Sequence, residues 1–286
     1  MEKIFTVPNK LDIDISSYRF LAKLQYDIYA CHETSIILSF DNCSFTHAAF
    51  TAYFGALITV AQKWGKDVSI FSKNNLKILD YFKKSGLYEY YTKTNNSYTN
   101  QNAIPFNRVN LDDQNIIYYI DNIIKLAPIK LSDACRASLF KNIYEIFSNA
   151  TEHSKSSCGV FACGHWMPYK RKLIFSVCDT GTGIPRLVKQ QHSGITSIEA
   201  INWALTRGNS TKQLTDGVPR GLGMADLKKF TGLNNGALII FSNDVYYNCS
   251  KENEKIQLPY DIIGTLITLI ITADDEHIYI LKEEQS

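Results

Sequence analysis

A short apolar run ends on a carboxylate and breaks at once into a turn with two glycines. Residues 173–177 read LIFSV, which is typical of a buried strand, and Asp179 precedes Gly181 and Gly183. Glycine lacks the Cβ that disfavours positive φ, so a ligand can approach such a backbone closely. A carboxylate at this strand end suits a planar ring that donates a hydrogen bond from an exocyclic amine. The alternative is an ordinary tight turn with no ligand.

A predicted amphipathic helix carries polar residues that suit the same site as this turn. Ser132 is a suitable N-cap, and apolar residues recur at helical spacing over 139–150. Glu145 and Asn149 lie one turn apart on a strip that borders the apolar stripe, and His153 continues it. An amide oxygen such as that of Asn149 is a hard ligand suited to Mg²⁺, and a carboxylate such as that of Glu145 can deprotonate a water. The alternative is that these residues form only the wet face of the helix.

A second glycine turn lies at 217–228, where GVPRGLGMADLK leads into a predicted helix that Gly232 ends. Free N–H groups at a helix start form an anion site suited to a di- or triphosphate. Neither a Walker loop nor a Rossmann G-x-G-x-x-G is present. The segment between the two glycine turns carries basic residues, among them Lys212. Predicted strands at 237–242 and 263–272 would complete a sheet.

The N-terminal part, residues 1–91, alternates strands and helices, which predicts a small α/β layer fold. The predicted strands are 35–40 and 68–71, and the predicted helices are 16–32 (capped by Ser16 or Ser17), 46–63 and 74–84. A polar run without periodicity follows, and we predict a linker at 92–104 between this domain and a second one at 105–286. A further helix is predicted from 112 or 113 to 126.

The composition is that of an ordinary globular protein, with 45% hydrophobic and 20% charged residues. The formal net charge of +2 gives no specific signal for nucleic acid or for an anionic membrane. No apolar run reaches the length of a membrane span, and the first residues show no signal peptide, so we expect a cytoplasmic protein. The seven cysteines include no C-x-x-C pair, which argues against a disulfide framework and a zinc site.

Four motifs in this order resemble the GHKL family of ATPases, which includes gyrase, MutL, histidine kinases and anti-sigma-factor kinases. Residues 145–150 with His153 resemble its N box, and residues 179–184 resemble its first glycine box. Residues 220–223 resemble the second glycine box, and Gly264 with Thr265 resembles the third. The resemblance implies a histidine kinase-like ATPase domain of the signalling branch, an α/β two-layer sandwich with a mixed sheet and helices on one face.

The resemblance also implies a role for each matching residue. Asp179 would accept from the adenine amine, with Thr265 supporting it through water. Asn149 would hold Mg²⁺, and Glu145 would be catalytic by polarising the attacking water. The remaining residues that the resemblance assigns to ATP binding are Gly181, Gly183 and Ile184 at the first glycine box and Arg220, Gly221, Leu222 and Gly223 at the second. The segment 186–216 would be an ATP lid.

The N-terminal part resembles a STAS-like domain, the fold of anti-sigma-factor antagonists, through residues 36–45 and the helix predicted after them. That family carries a phosphorylated Ser at the start of this helix. This chain has Thr46 and His47 there, which makes Thr46 the acceptor to test. A structural or docking role for the domain is the alternative.

Three functions follow from these observations. The leading prediction is a protein that binds Mg-ATP and acts as a nucleotide-dependent switch toward a protein partner. The sequence shows no downstream domain of the kind that completes the gyrase and MutL site, so we expect slow or partner-stimulated ATP hydrolysis. The alternatives are an anti-sigma-type serine/threonine protein kinase and a non-catalytic interaction module. Tyrosine clusters at 88–91 and 246–247 are compatible with a homodimer interface.

Overall fold

The computed structural model describes residues 2–92, 101–109, 113–152, 156, 158–210, 223–273 and 278–280. The protein contains both helices and sheets, and the predicted α/β class is confirmed. Within these ranges no helix is both long and apolar enough to span a bilayer.

The strands are β1 (Glu2–Thr6), β2 (Lys10–Leu11), β3 (Ser35–Ser39), β4 (Phe45–Thr46), β5 (Asp67–Phe71), β6 (Ala103–Val109), β7 (Val160–Met167), β8 (Lys172–Asp179), β9 (Ala237–Ser242), β10 (Val245–Asn248), β11 (Lys255–Gln257) and β12 (Thr265–Thr272). The helices are α1 (Ile15–Ala30), α2 (Phe50–Lys63), α3 (Leu76–Lys84), α4 (Leu87–Thr92), α5 (Asp113–Leu126), α6 (Asp133–Glu152), α7 (Ile184–Gln191), α8 (Ser197–Ala204) and α9 (Gly223–Leu233).

The first part of the chain forms a three-stranded parallel sheet in the order β1-β3-β5. The helices α1 and α2 connect its strands, because parallel neighbours need a crossover connection. The alternating residues Ile36 and Leu38 of β3 are fully buried in the core that these helices share. Asp14, and not the predicted Ser16 or Ser17, caps α1, since its carboxylate accepts from the Ser17 N–H at 2.8 Å.

The helix predicted from residue 46 begins later, at Phe50. Thr46 belongs instead to β4, where it pairs with Leu11 of β2. The N–H of His47 donates to the Leu11 carbonyl at 2.8 Å, so the strand pairing extends past Thr46. The backbone can turn into a helix only after this bond.

A seven-stranded sheet follows, in the order β11-β10-β9-β12-β8-β7-β6. Each pair in it is antiparallel, so the prediction of a mixed sheet is wrong. Short connections between neighbouring strands are one cause, as in the turn from β9 to β10 through Asn243, which has φ +48°. The sequence analysis does not predict β6 or β7. Pro105 breaks the strand pattern of β6 and is tolerated because β6 is an edge strand.

Helices cover both faces of this sheet, and the second face is covered by the N-terminal part, to which the prediction of helices on one face did not apply. On one face, α5, α6 and α9 pack against the strands around a core that contains Phe147, Phe175 and Ile240. On the other face, α2 packs against β7 and β8. The ring of Phe241 on β9 lies 5.1 Å from that of Tyr18 on α1 and 6.0 Å from that of Tyr53 on α2. The N-terminal part and the large sheet therefore share one hydrophobic core.

Where one domain ends and the next begins remains a prediction. Most of the predicted linker, residues 93–100, lies outside the described residues. Positions 103 and 104 of that linker belong to β6. The helix after the second glycine turn runs to Leu233, one residue past the Gly232 that was predicted to end it.

Candidate functional site

The carboxylate of Asp179 lies at the end of β8, in the middle of the large sheet. Its side chain is buried, with 7% of the residue exposed. Burial raises the pKa of Asp179 from its ordinary 3.8 to about 7, although hydrogen bonds from the backbone of Gly181 and Thr265 act in the opposite direction. The Gly181 N–H donates to Oδ1 at 2.8 Å. Asp179 is therefore an acceptor whose charge changes close to neutral pH.

The start of β12 lies against this strand end. Thr265 pairs with Asp179 in the ladder, and Gly264 precedes it with φ +80°. A Cβ on Gly264 would lie 2.1 Å from the Asp179 carbonyl oxygen. This position therefore requires glycine for two reasons, its left-handed backbone and the close approach of the two chains.

The turn after Asp179 is held by the hairpin between β9 and β10. Gly183 has φ +83°, and a Cβ there would lie 2.4 Å from Nδ2 of Asn243. The Asn243 amide donates to the Thr182 carbonyl at 3.0 Å and accepts from the Arg186 N–H at 3.2 Å. A buried side chain 60 residues downstream thus fixes the shape of the first glycine turn.

Ser242 joins the same turn to β12. Its hydroxyl accepts from the Ile184 N–H at 2.9 Å and donates to the Gly264 carbonyl at 3.2 Å. It is also hydrogen-bonded to the Thr265 hydroxyl at 2.7 Å. Sequence analysis does not predict a site role for Ser242 or Asn243. The Ser-Asn-Asp run that ends the predicted strand signals a turn but not what the turn contacts.

Helix α6 brings Asn149 to this end of the sheet. Its predicted cap is confirmed, since the Ser132 hydroxyl accepts from the Cys135 N–H at 3.0 Å. The Phe147 ring packs on Phe175 of β8 at 5.8 Å between ring centroids. Just beyond the helix, the Ser156 hydroxyl is hydrogen-bonded to that of Thr180. The last turn of α6, which carries Asn149, therefore lies at the end of β8 where Asp179 lies.

The amide side chain of Asn149 is half-buried and forms no hydrogen bond within the described part of the chain. Glu145, one turn earlier, is also half-buried, and its Oε2 accepts from the Gly223 N–H at 2.8 Å. A Cβ on Gly223 would lie 2.9 Å from the Cβ of Glu145. The predicted N box and the start of α9 are thus in direct contact. In this structure the Gly223 amide, a predicted phosphate donor, is bonded to Glu145.

Several predicted site residues lie outside the described residues. They are His153, Lys212, Arg220, Gly221 and Leu222, together with residues 211–216 of the predicted lid. The described part of that lid contains α7 and α8, which pack against each other.

Thr46 and His47, the residues at the predicted phosphorylation position, are both buried. The Thr46 hydroxyl is fully enclosed and has no hydrogen-bond partner in the structure. His47 accepts at Nδ1 from the Ala49 N–H at 3.2 Å. Burial lowers the pKa of His47 to about 4, despite the nearby Asp12. A kinase would reach the Thr46 hydroxyl only after this segment opens.

Comparisons with models of protein families and with curated proteins find no match.

Proposed function

We propose that this protein binds Mg-ATP between the end of β8 and the last turns of α6, and uses it as a switch that changes its affinity for a protein partner. One observation carries the proposal: the buried carboxylate of Asp179 ends a central strand beside two backbone segments that require glycine, at Gly183 and at Gly264. The Gly181–Gly183 turn lies on one side of it, and Gly264 lies against its main chain. A buried acceptor beside bare backbone suits a flat heterocycle with an exocyclic amine.

The protonation state of Asp179 suits its role as the acceptor for the exocyclic amine. With a pKa raised to about 7, the side chain is largely ionised at pH 8 and accepts strongly from an N–H donor. Next to it in the sheet, the hydroxyls of Ser242 and Thr265 are hydrogen-bonded to each other. They hold the ends of β9 and β12 together, so the acceptor is fixed in position before a ligand arrives.

The residues of α6 fit a magnesium ion at the phosphate end of such a ligand. The Asn149 amide oxygen is a hard ligand, and this half-buried side chain makes no hydrogen bond among the described residues. Mg²⁺ takes few protein ligands when it also holds phosphates, so one amide is a sufficient protein contribution. When bound, the ion would neutralise charge on the phosphate oxygens.

Glu145 is the proposed base, and its contact with Gly223 supports the switch. The carboxylate that would orient a water now accepts from the first N–H of α9. If the Gly223 N–H donated to a phosphate instead of to Glu145, the carboxylate would be free and the start of α9 would shift. A change at the nucleotide would thereby alter the surface that α9 presents to a partner.

Calorimetric titration of the purified protein with Mg-ATP tests the proposal. We expect saturable binding, and we expect Asp179→Asn to weaken it about 10- to 100-fold because a charge-assisted hydrogen bond to the base is lost. Glu145→Gln keeps an acceptor for the Gly223 N–H, so it should bind like the parent but hydrolyse ATP about 100-fold more slowly. No heat of binding at millimolar Mg-ATP would end the proposal.

Radiolabelled ATP separates the remaining alternatives. A switch ATPase releases labelled phosphate and leaves protein unlabelled, whereas a protein kinase transfers the label to Ser or Thr of a partner. A non-catalytic module does neither. Labelling of this chain that disappears in Thr46→Val would show that the buried hydroxyl is reached.

A further inference from the structure

A cleft lies between α6 and α9, away from the proposed nucleotide site. Its volume is about 740 Å³, within the range of ordinary small-molecule sites. The segment that follows α8 and the C-terminal residues 279–280 complete its walls. It lies along α6 on the N-terminal side of Glu145, so its lining contains neither Asn149 nor Asp179.

The walls of the cleft are mainly apolar. Leu139 of α6 and Leu205 after α8 are buried residues that line it. Phe230 of α9 lines it as well and is held by an edge contact with the ring of Tyr279, 5.7 Å away. The backbone of Tyr279 is itself anchored to the start of α6, where its N–H donates to the Lys130 carbonyl at 3.0 Å. The apolar walls are therefore built from fixed elements.

One buried polar group in the cleft is unsatisfied. Asn142 lines it with only 6% of the residue exposed. Within the described part of the chain its amide forms no hydrogen bond, yet its polar atoms are not among the fully enclosed ones. The amide surface that remains accessible therefore faces the cleft. An amide that borders a cavity and has no partner among the described residues can hydrogen-bond a ligand that enters the cavity.

The charges of the lining favour an anion. Two cationic side chains, Arg207 and Lys229, line the cleft with a single carboxylate, Asp226. The Nε of Arg207 is 3.7 Å from Oδ1 of Asp226, too far for a hydrogen bond. The guanidinium can therefore still donate to a ligand, and Lys229 is exposed at the rim.

We propose that this cleft binds a small amphipathic anion. Its apolar body would lie between Leu139, Leu205 and Phe230, and its carboxylate or sulfonate would accept from the Asn142 amide. Arg207 and Lys229 supply the positive potential. This site is separate from the proposed nucleotide site and does not depend on it.

Fluorescence titration of the full-length protein with anilinonaphthalene sulfonate, without nucleotide, tests the proposal, because this dye combines an apolar ring system with one anionic group. We expect one saturable, blue-shifted site. Octanoate should displace the dye, and 1-octanol at the same concentration should not.

Neighbouring lysines of α9 give a matched pair of variants. Lys229 lines the cleft, whereas the exposed Lys228 does not and lies toward Cys249. Lys229→Gln should weaken dye binding about threefold to tenfold, and Lys228→Gln should leave it unchanged. Asn142→Leu should weaken it as well. Ala225→Trp, which fills the cleft from α9, should abolish it.

Three results would overturn the proposal. They are no saturable dye site, equal effects of the two lysine variants, and displacement by octanol as readily as by octanoate. Circular dichroism of each variant establishes that it is folded. If Ala225→Trp does not fold, the lysine pair still decides the outcome.

Discussion

Asp179 shows how one buried side chain couples function to stability. Burial favours its neutral form, so the folded protein holds the proton that an unfolded chain would release above pH 3.8. At pH 8 the folded state must bury a charge that, among the described residues, is stabilised by two backbone groups and by no cation. A charged acceptor at this position is useful to a ligand and costly to the unliganded protein.

Asp179→Asn should therefore stabilise the unliganded protein in a pH-dependent way. The folded pKa is raised, so the contribution of this acid is fully present below pH 3.8 and is lost as the pH rises through about 7. We expect the variant to exceed the parent in free energy of unfolding by about 4 kcal/mol at pH 8 and by less than about 1 kcal/mol at pH 4. Urea unfolding at pH 4, 6 and 8 measures this difference.

The free energy of unfolding of the variant is compared with that of the parent at each pH, because other groups also change charge over this range. His47, with its lowered pKa, contributes stability that is lost as the pH falls from 6.5 through about 4, the opposite direction. Asp80→Asn makes the same substitution at an exposed carboxylate of α3 and is the control for the change of side chain. A difference between Asp179→Asn and parent that is constant at all three pH values would contradict the pKa argument.

At the scale of elements, α9 contains two glycines in opposite situations. Gly223 starts the helix and packs against Glu145 of α6, whereas Gly232 in the last turn has open space around its Cβ position. Glycine is a weak helix former, so a glycine retained inside a helix without a steric reason lowers its stability. Substitutions at these two positions therefore separate the effect of packing on stability from the effect of helix propensity.

We predict opposite signs for alanine at these two glycines. Gly232→Ala should stabilise the protein by about 0.5–1 kcal/mol through helix propensity alone. Gly223→Ala should destabilise it by about 1–3 kcal/mol, because the new methyl would overlap the Cβ of Glu145 and push the two helices apart. Thermal unfolding followed by circular dichroism gives both values. Equal and favourable shifts would mean that α6 and α9 do not meet at this point.

At the scale of the whole molecule, the N-terminal part supplies the cover for one face of the large sheet. Tyr18, Phe50 and Tyr53 from the first two helices belong to the same buried core as Phe161 and Phe241 of the sheet. Removing such a cover would expose a large apolar surface, which soluble monomers rarely carry. We therefore expect the two parts to unfold together.

Urea unfolding should show one cooperative transition that coincides by far-UV circular dichroism and by tryptophan fluorescence. Phe241→Ala, which removes a ring shared by both parts, should shift this single transition by about 3–5 kcal/mol without splitting it. Tyr118→Ala, at a side chain of α5 that is 73% exposed, should change it little. Two separate transitions in the parent protein would show that the N-terminal part is an independent unit.

The sequence by itself determined the elements with strong local patterns. The α6 helix and its Ser132 cap, the strand that ends on Asp179 and the strand at 237–242 follow from periodicity and capping, which depend on residues a few positions apart. The position of the first glycine turn follows for the same reason. Elements with weak or broken patterns, such as β6 with its Pro105, could not be predicted in this way.

Only the tertiary structure decided which of these elements meet. The bond from Gly223 to Glu145 spans 78 residues, and the bond from Ile184 to Ser242 spans 58. Neither contact leaves a local signal, because the residue types involved are common in turns and helices of every kind. The antiparallel order of the sheet and the burial of Thr46 were likewise set by long-range packing. Local preferences select the helices and strands, but burial of apolar surface across the whole chain selects their arrangement.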